Sequence, residues 1–285
     1  MELLICTNGS SASQPALEYG VWFAAELKVP IVLMGIVEKS EYHQVVEKLI
    51  ENTRHKAIKM DLPCRTLVVE GSAEEIIARM AAEGDFLTLT GPLGRSSWRR
   101  LWRGRSFRNL MKSIESPIIY VPSAHMQLRK ILLCTGGLHY AEGITHIVGQ
   151  IAQGTGAQVT LLHVTEPTSL KYPIADELKS DRKTVLQSTT PQAKNIQRAI
   201  EEFGSWGVPM ELKQRHGYIV REILGEIRDA DYDMVGLGSS YGVRTMRHLF
   251  TPNIGAEVLE SINLPVVVAR YGFDLSQPLN HDQPS

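Results

Sequence analysis

Short apolar runs alternate with longer stretches of helical period along the whole chain. Residues 3–7 are an apolar run that stops at Asn8-Gly9, a strand entering a turn. Leu17, Val21, Ala24 and Ala25 then recur at helical spacing, which predicts a helix to about Lys28, with Ser10 to Ser13 offering N-caps and Pro15 in the first turn. Residues 31–37 read as a second strand, 41–60 as a polar, periodic and more exposed helix, and 65–69 as a third strand closed by Gly71. Ser72-Ala73-Glu74-Glu75 has the form of a capping box, followed by a core face of Ile76, Ile77, Met80 and Ala81. Residues 86–90 give a fourth strand, 107–114 a last helix and 117–121 a fifth strand.

The pattern then repeats. Leu4-Ile5-Cys6-Thr7-Asn8-Gly9 matches Leu132-Leu133-Cys134-Thr135-Gly136-Gly137, an offset of 128. At the same offset the run from Ile31 to Glu38 matches the run from Val159 to Glu166. Val69-Glu70-Gly71 matches Arg215-His216-Gly217 at 146, and Ser116-Pro117 matches Leu264-Pro265 at 148. The second copy therefore carries about 20 extra residues, mostly between Glu166 and Gly217. The repeat is domain-sized, so it is a duplication and not a solenoid. Strands of the second copy are expected at 131–135, 159–164, 211–215, 234–237 and 266–269. Strands this apolar, separated by helices, predict an α/β fold in which each copy is a five-stranded parallel sheet covered on both faces. The expected division is domain 1 over 1–123, domain 2 over 128–271 and a polar tail over 272–285, with a linker near 122–129.

Composition narrows the class. The chain has 285 residues, enough for two such domains without staples, and 30 basic against 31 acidic residues give a net charge of −1. That balance argues against a polyanion binder over the whole surface, though not against a local basic patch. Cys6, Cys64 and Cys134 form no disulfide framework or zinc cluster, and Cys6 and Cys134 sit in strand runs where a buried thiol is the ordinary reading. No apolar stretch nears the ~18 residues of a membrane span, and the beginning of the sequence has no basic leader. The expectation is a soluble cytoplasmic protein without a membrane partner.

Candidate chemistry follows strands one and four, because open parallel sheets bind ligands beyond the C-terminal strand ends where the strand order switches. After strand four come Gly91-Pro92-Leu93-Gly94, nine residues, then Gly104-Arg105-Ser106 before the last helix. Glycines let backbone amides approach a phosphate, and a helix N-terminus adds positive charge. The stretch from Arg95 to Arg108 holds six arginines with Trp98 and Trp102. It reads either as a phosphate cradle or as a glycine-rich loop with a solvated arginine face. The two tryptophans, four apart, read either as anchors for a protein partner or as cover for the nearby core. One short basic–aromatic loop argues poorly for nucleic acid. The nine histidines are scattered; His163 lies in a strand run and reads as a hydrogen-bonded histidine, His139 and His146 are too far apart for a zinc pair, and His216 reads as an exposed loop residue. No metal ligands are expected. The insertion at 167–192 reads as a lid or a longer loop.

Gly-x2-Gly-x9-Gly followed by a hydroxyl resembles the nucleotide loop of the universal stress proteins. The other features agree: the Asn8-Gly9-Ser10 turn, Leu161-Leu162-His163-Val164, Gly71 to Ile77 and Gly217 to Ile223, and strands opening at Pro117 and Pro265. The resemblance covers residues 1–123 and 128–271. It implies two tandem Rossmann-like domains of the adenine nucleotide alpha hydrolase type, paired through strand five as an internal pseudo-dimer; a homodimer stays open, because that pairing would already satisfy the edges. It implies ATP or AMP as ligand, with Mg²⁺ accompanying ATP, and a stress-response role. Thr7, Asn8 and Ile36 would line the adenosine, and Gly91, Gly94, Gly104, Arg105 and Ser106 would hold the phosphates.

Three departures stand out. ATP-binding members carry an Asp after strand one, where this chain has Asn8 and Gly136. The hydroxyl after the third glycine is displaced to Ser106 by Arg105. In copy two the loop reads Ser239-x2-Gly242-x9-Pro252-Asn253, and Pro252 lacks the amide a phosphate would want. Nucleotide is therefore expected in domain 1 and not, in the family manner, in domain 2. The loop offers no general base and no metal-holding carboxylate, so the preferred reading is a binding or regulatory protein without catalytic residues. A nucleotide-independent interaction module is the alternative, and a slow nucleotide hydrolase a weaker one.

Overall fold

The computed structural model describes residues 2–93, 114, 116–135, 141–165, 189–239 and 254–270. In the first half these form β1 (Glu2–Thr7), α1 (Gln14–Leu27), β2 (Ile31–Val37), α2 (His43–Lys59), β3 (Cys64–Glu70), α3 (Ala73–Glu83), β4 (Phe86–Thr90) and β5 (Ile118–Tyr120). The second half contributes β6 (Lys130–Thr135), α4 (Ala141–Thr155), β7 (Gln158–Thr165), α5 (Pro191–Ser205), β8 (Met210–His216), α6 (Ile219–Asp229), β9 (Met234–Ser239), α7 (Ile254–Ser261) and β10 (Val266–Arg270). The expected helix at 107–114 falls almost wholly outside the described residues, as do the tail and residues 167–188 of the insertion.

All ten strands join one sheet in the order β3-β2-β1-β4-β5-β10-β9-β6-β7-β8. Each half runs 3-2-1-4-5 in its own numbering, and every pairing is parallel except β5 with β10. The duplication is visible in the register: Thr7 pairs with Gly35 and Thr135 with His163, each residue displaced by the 128 seen in sequence. At the seam, Tyr120, Ile119 and Ile118 pair antiparallel with Val266, Val267 and Val268. This gives two apolar edges a partner, and an unpaired apolar edge would invite aggregation.

The core is two layers that both run across the seam. On one face α1, α2, α4 and α5 cover Leu3, Ile5, Leu33, Ile131 and Leu133. On the other, α3, α6 and α7 cover Leu4, Cys6, Met34, Ile36, Leu132 and Leu237. β2 is buried along all seven residues, which is why Ile31-Val32-Leu33-Met34-Gly35-Ile36-Val37 is apolar without alternation. α2 sits close over β2 because Gly35 has no side chain: a Cβ there would stand 2.5 Å from Val46 Cγ1.

Local chemistry sets the element ends. Pro15 lies in the first turn of α1, and Lys28 ends that helix in the left-handed conformation at φ 54 with its N–H on Ala24 and Ala25 carbonyls. The helix expected at 41–60 opens as a short 3-10 turn, Ser40–Tyr42, before α2. The capping box does not form. Ser72 makes no side-chain cap; instead the Ala73 N–H donates to Glu38 Oε1 at 3.4 Å. Glu38 follows β2, and a full carboxylate is a stronger acceptor for an orphan helix amide than a serine hydroxyl.

Asp233 fastens the link between the halves. It is buried at the start of β9 and accepts from the Arg129 and Lys130 N–H groups at 2.7 and 3.0 Å, from Gln127 Nε2 at 3.0 Å and from His125 Nε2 at 3.2 Å. The two halves differ at their outer strands. Leu67, Val69 and Met80 of the first half pack into the apolar layer. Their counterparts at an offset of 146 are Lys213, Arg215 and Glu226. Lys213 Nζ and Arg215 Nε donate to the Glu226 carboxylate at 2.7 and 2.8 Å, and Tyr232 OH donates at 2.7 Å.

Candidate functional site

Strand order in each half reverses between its first and fourth strands, β1 and β4 in the first half. At such a reversal a crest opens beyond the C-terminal ends of the two strands. Thr7, Asn8 and Gly91 all stand there, β1 and β4 being paired up to Cys6 and Thr90. Gly94, Gly104, Arg105, Ser106, Trp98 and Trp102 lie outside the described residues.

The turn after β1 is built by hydroxyls. Thr7 is fully buried; its Oγ1 shares a 2.7 Å hydrogen bond with Ser13 Oγ and accepts the Gly9 N–H at 3.1 Å. Ser13 Oγ also donates to the Ser10 carbonyl at 2.9 Å, tying the turn to the residue that precedes α1. Gly9 has φ +76, a left-handed value that glycine adopts freely. Asn8 is half-buried, its Oδ1 accepting the Ser10 N–H at 3.2 Å and its Nδ2 donating to Glu38 Oε2 at 3.1 Å. A β-turn serine alone predicts little of this; the signal is the run of hydroxyls from Ser10 to Ser13 behind a strand-ending threonine.

Two residues expected to line the ligand have packing roles. Ile36 has no exposed surface and its side chain packs into the layer under α3, while the strand end it belongs to reaches the crest. Gly91 is buried against α1: a Cβ there would lie 2.9 Å from Ala16 Cβ and 3.3 Å from both Ser13 Cα and the Val121 carbonyl oxygen. Its missing side chain lets the first turn of α1 approach the end of β4. Glu38, which the sequence reading passed over as a site residue, is the charged group beside Asn8. Its only mark in sequence is an acidic residue directly after an all-apolar second strand.

The second half presents a different crest. His163 occupies the register position of Gly35, and its Nδ1–H donates to the Thr135 carbonyl at 3.2 Å. Burial lowers the His163 pKa below the ordinary histidine value, with the neighbouring His216 adding to the effect, so the ring is neutral at pH 7. His146 pairs edge-on with the Trp206 ring at 5.4 Å and serves packing. β9 ends at Ser239, and Gly136, Gly242, Pro252 and Asn253 lie outside the described residues. Among the described residues no three His, Cys, Asp or Glu side chains gather as a metal site, and no helix is long and apolar enough to cross a membrane.

Residues 127–270 match the model of the universal stress protein family. The chain belongs to that family. A universal stress protein from Archaeoglobus fulgidus DSM 4304 is similar in structure over 94% of this chain and 96% of its own, with a TM-score of 0.68 and 14% identity. A protein described as functionally unknown from Pseudomonas aeruginosa PAO1 is similar over 94% and 92%, with a TM-score of 0.65 and 15% identity. Both likenesses extend through the two halves, so the fold of the whole chain is shared by other proteins. No curated protein sequence matches the chain. Among the described residues of this universal stress protein, hydroxyls, Asn8 and Glu38 stand at the first crest and a buried histidine at the second.

Proposed function

We propose that this universal stress protein binds an adenine nucleotide at the crest of its first half and acts as a regulatory or sensing protein in the response to stress. The observation that carries this reading is the strand order: β1 and β4 end side by side at a switch point, and the chain that follows β4 supplies the glycine-spaced, arginine-rich loop. On this reading Asn8 and Thr7 border the nucleoside, and Gly91, Gly94, Gly104, Arg105 and Ser106 provide the phosphate loop. Domain 1 spans 1–123 and domain 2 spans 128–271, with the ligand in domain 1. The cation accompanying ATP would be Mg²⁺.

Titration calorimetry of the intact chain with ATP and AMP in Mg²⁺, beside Gly104→Trp, tests the proposal. One site per chain, lost in that variant, is expected. Absence of heat and of thermal stabilisation with either ligand overturns it, and two sites would overturn the assignment to domain 1 alone.

A second reading is favoured by one observation. Thr7, Asn8 and Gly91 are already engaged within the fold, by Ser13, Glu38 and α1. A crest whose groups are so satisfied suits a nucleotide-independent interaction module, with Trp98 and Trp102 on the partner surface. Replacing both tryptophans with Ala would then abolish partner binding and leave nucleotide titrations unchanged.

A further inference from the structure

The helices that lead into the outer strand of each half begin differently. α5 opens on Thr190, whose Oγ1 accepts the Ala193 N–H at 3.3 Å, a hydroxyl cap that does not titrate. α2, its counterpart, follows a 3-10 turn, takes no side-chain cap from Tyr42 and has no acidic residue in its first turn. Its first residue is His43. Nε2 of that ring lies 3.1 Å from Glu47 Oε1, one turn on in α2, and Nδ1 lies 3.3 Å from Glu70 Oε1, at the end of β3. An ionised carboxylate only accepts, and a neutral imidazole carries one N–H, so both contacts are hydrogen bonds only when the ring holds two protons. The start of a helix disfavours a cation. Glu47 and Glu70 are the charged groups that act on the ring among the described residues, and their hydrogen bonds raise the His43 pKa above the ordinary 6.5. Lys39 and Glu41, at the preceding turn, pair with each other at 3.9 Å.

This end of α2 lies over the first-strand turn. Val46, three residues after His43 and fully buried, stands between two glycines: a Cβ on Gly9 would lie 2.8 Å from Val46 Cγ2, and one on Gly35 2.5 Å from Val46 Cγ1. Gly9 belongs to the turn after β1, and Gly35 is the register partner of Thr7. We propose that His43, Glu47 and Glu70 form a pH-operated tie that fastens the first turn of α2 to the end of β3 and so seats Val46 against the β1 turn. With one proton lost, the remaining N–H stays with Glu47, the nearer partner and on the same helix, and Glu70 is released. The first turn of α2, and the β1 turn beneath Val46, then open more often. A raised folded-state pKa fixes the sign: the tie is complete below about pH 6.5 and is lost as the pH rises through the raised value. The inference does not depend on nucleotide binding.

Two measurements on the intact chain test it. NMR of the histidine rings from about pH 5 to 9 follows both nitrogens of His43. Native-state hydrogen exchange, with each rate divided by the intrinsic rate at that pH, follows the Gly9 and Ser10 amides, which Thr7 Oγ1 and Asn8 Oδ1 hold in the turn. In wild type, protection of those two amides is expected to fall about two- to fivefold between about pH 6 and pH 8.5, the worth of an exposed ion pair. Glu70→Gln should lower the His43 pKa and show the reduced protection already at about pH 6. His43→Ala should abolish the pH dependence, which separates His43 from the other histidines. A His43 that titrates as an ordinary histidine overturns the inference. So does a raised pKa with Gly9 and Ser10 protection unchanged by pH or by Glu70→Gln, because the contacts would then be a surface ion pair with no hold on the turn. Neither result bears on the nucleotide titrations, which test the other reading separately.

Discussion

Gly91 shows how a residue can satisfy a binding motif and a packing requirement with the same missing atom. Two of the three atoms its Cβ would crowd, Ser13 Cα and the Val121 oxygen, are backbone and cannot rotate away. Gly91→Ala is therefore expected to destabilise the chain by about 1–3 kcal/mol, as overpacked core sites do, read as a lower urea midpoint with unchanged slope. A variant as stable as wild type would show that the first turn of α1 yields easily. Glu226 is the other residue whose environment makes a sharp expectation. Burial raises its pKa, but hydrogen bonds from Lys213, Tyr232 and Arg215 outweigh that and hold it at about 2, below the ordinary 4.5. A depressed folded-state pKa contributes stability that is complete above about 4.5 and fades as the pH falls towards 2. The contribution is on the order of 3 kcal/mol, and Glu226→Gln should flatten the pH dependence of unfolding in that window. A variant with the wild-type acid profile would mean that the loss comes from other carboxylates.

At the scale of elements, Asp233 makes the clearest claim. One carboxylate collects two backbone amides and two side chains from the segment joining the halves, and its removal takes the acceptor from all four at once. Asp233→Ala should cost about 2–4 kcal/mol and speed proteolysis within residues 122–129, followed by mass spectrometry of the fragments. Unaltered cleavage would assign the order of that segment to its neighbours instead. The elements themselves were largely legible in sequence, because buried parallel strands such as β2 are unbroken apolar runs and the duplication doubles each signal. What stayed hidden are contacts made across the sheet. The cap of α3 comes from Glu38, 35 residues earlier in the chain, and local spacing points to Glu75 instead. Lys213, Arg215 and Glu226 carry the pattern of a solvated face, although they form a partly buried network. Ile36 was placed at the ligand by resemblance, whereas strand alternation turns its side chain into the core. Thr7 and Asn8 were correctly located at the end of the first strand, since a strand followed by Asn-Gly fixes where a turn must be.

At the scale of the whole molecule, the seam decides whether the halves are separable. β5 has only three residues, all buried, and it pairs with β4 on one side and β10 on the other. Both apolar layers cross this line, and a Cβ on Gly154 of α4 would stand 2.7 Å from Leu27 Cδ2 of α1, so helices of the two halves also meet. Residues 1–123 produced alone would expose the free edge of β5 and the flank of α1 that faces α4. The expected outcome is a dimer or larger species in light scattering, since the two strands at the seam already pair antiparallel and two copies of β5 can do the same about a twofold axis. Adding residues 124–285 should compete for that edge and restore a particle of one copy of each fragment. A stable, monomeric 1–123 fragment with native circular dichroism would show that the seam is dispensable. The first-half crest would then be independent of the second half, and ligand binding by the fragment should equal that of the intact chain.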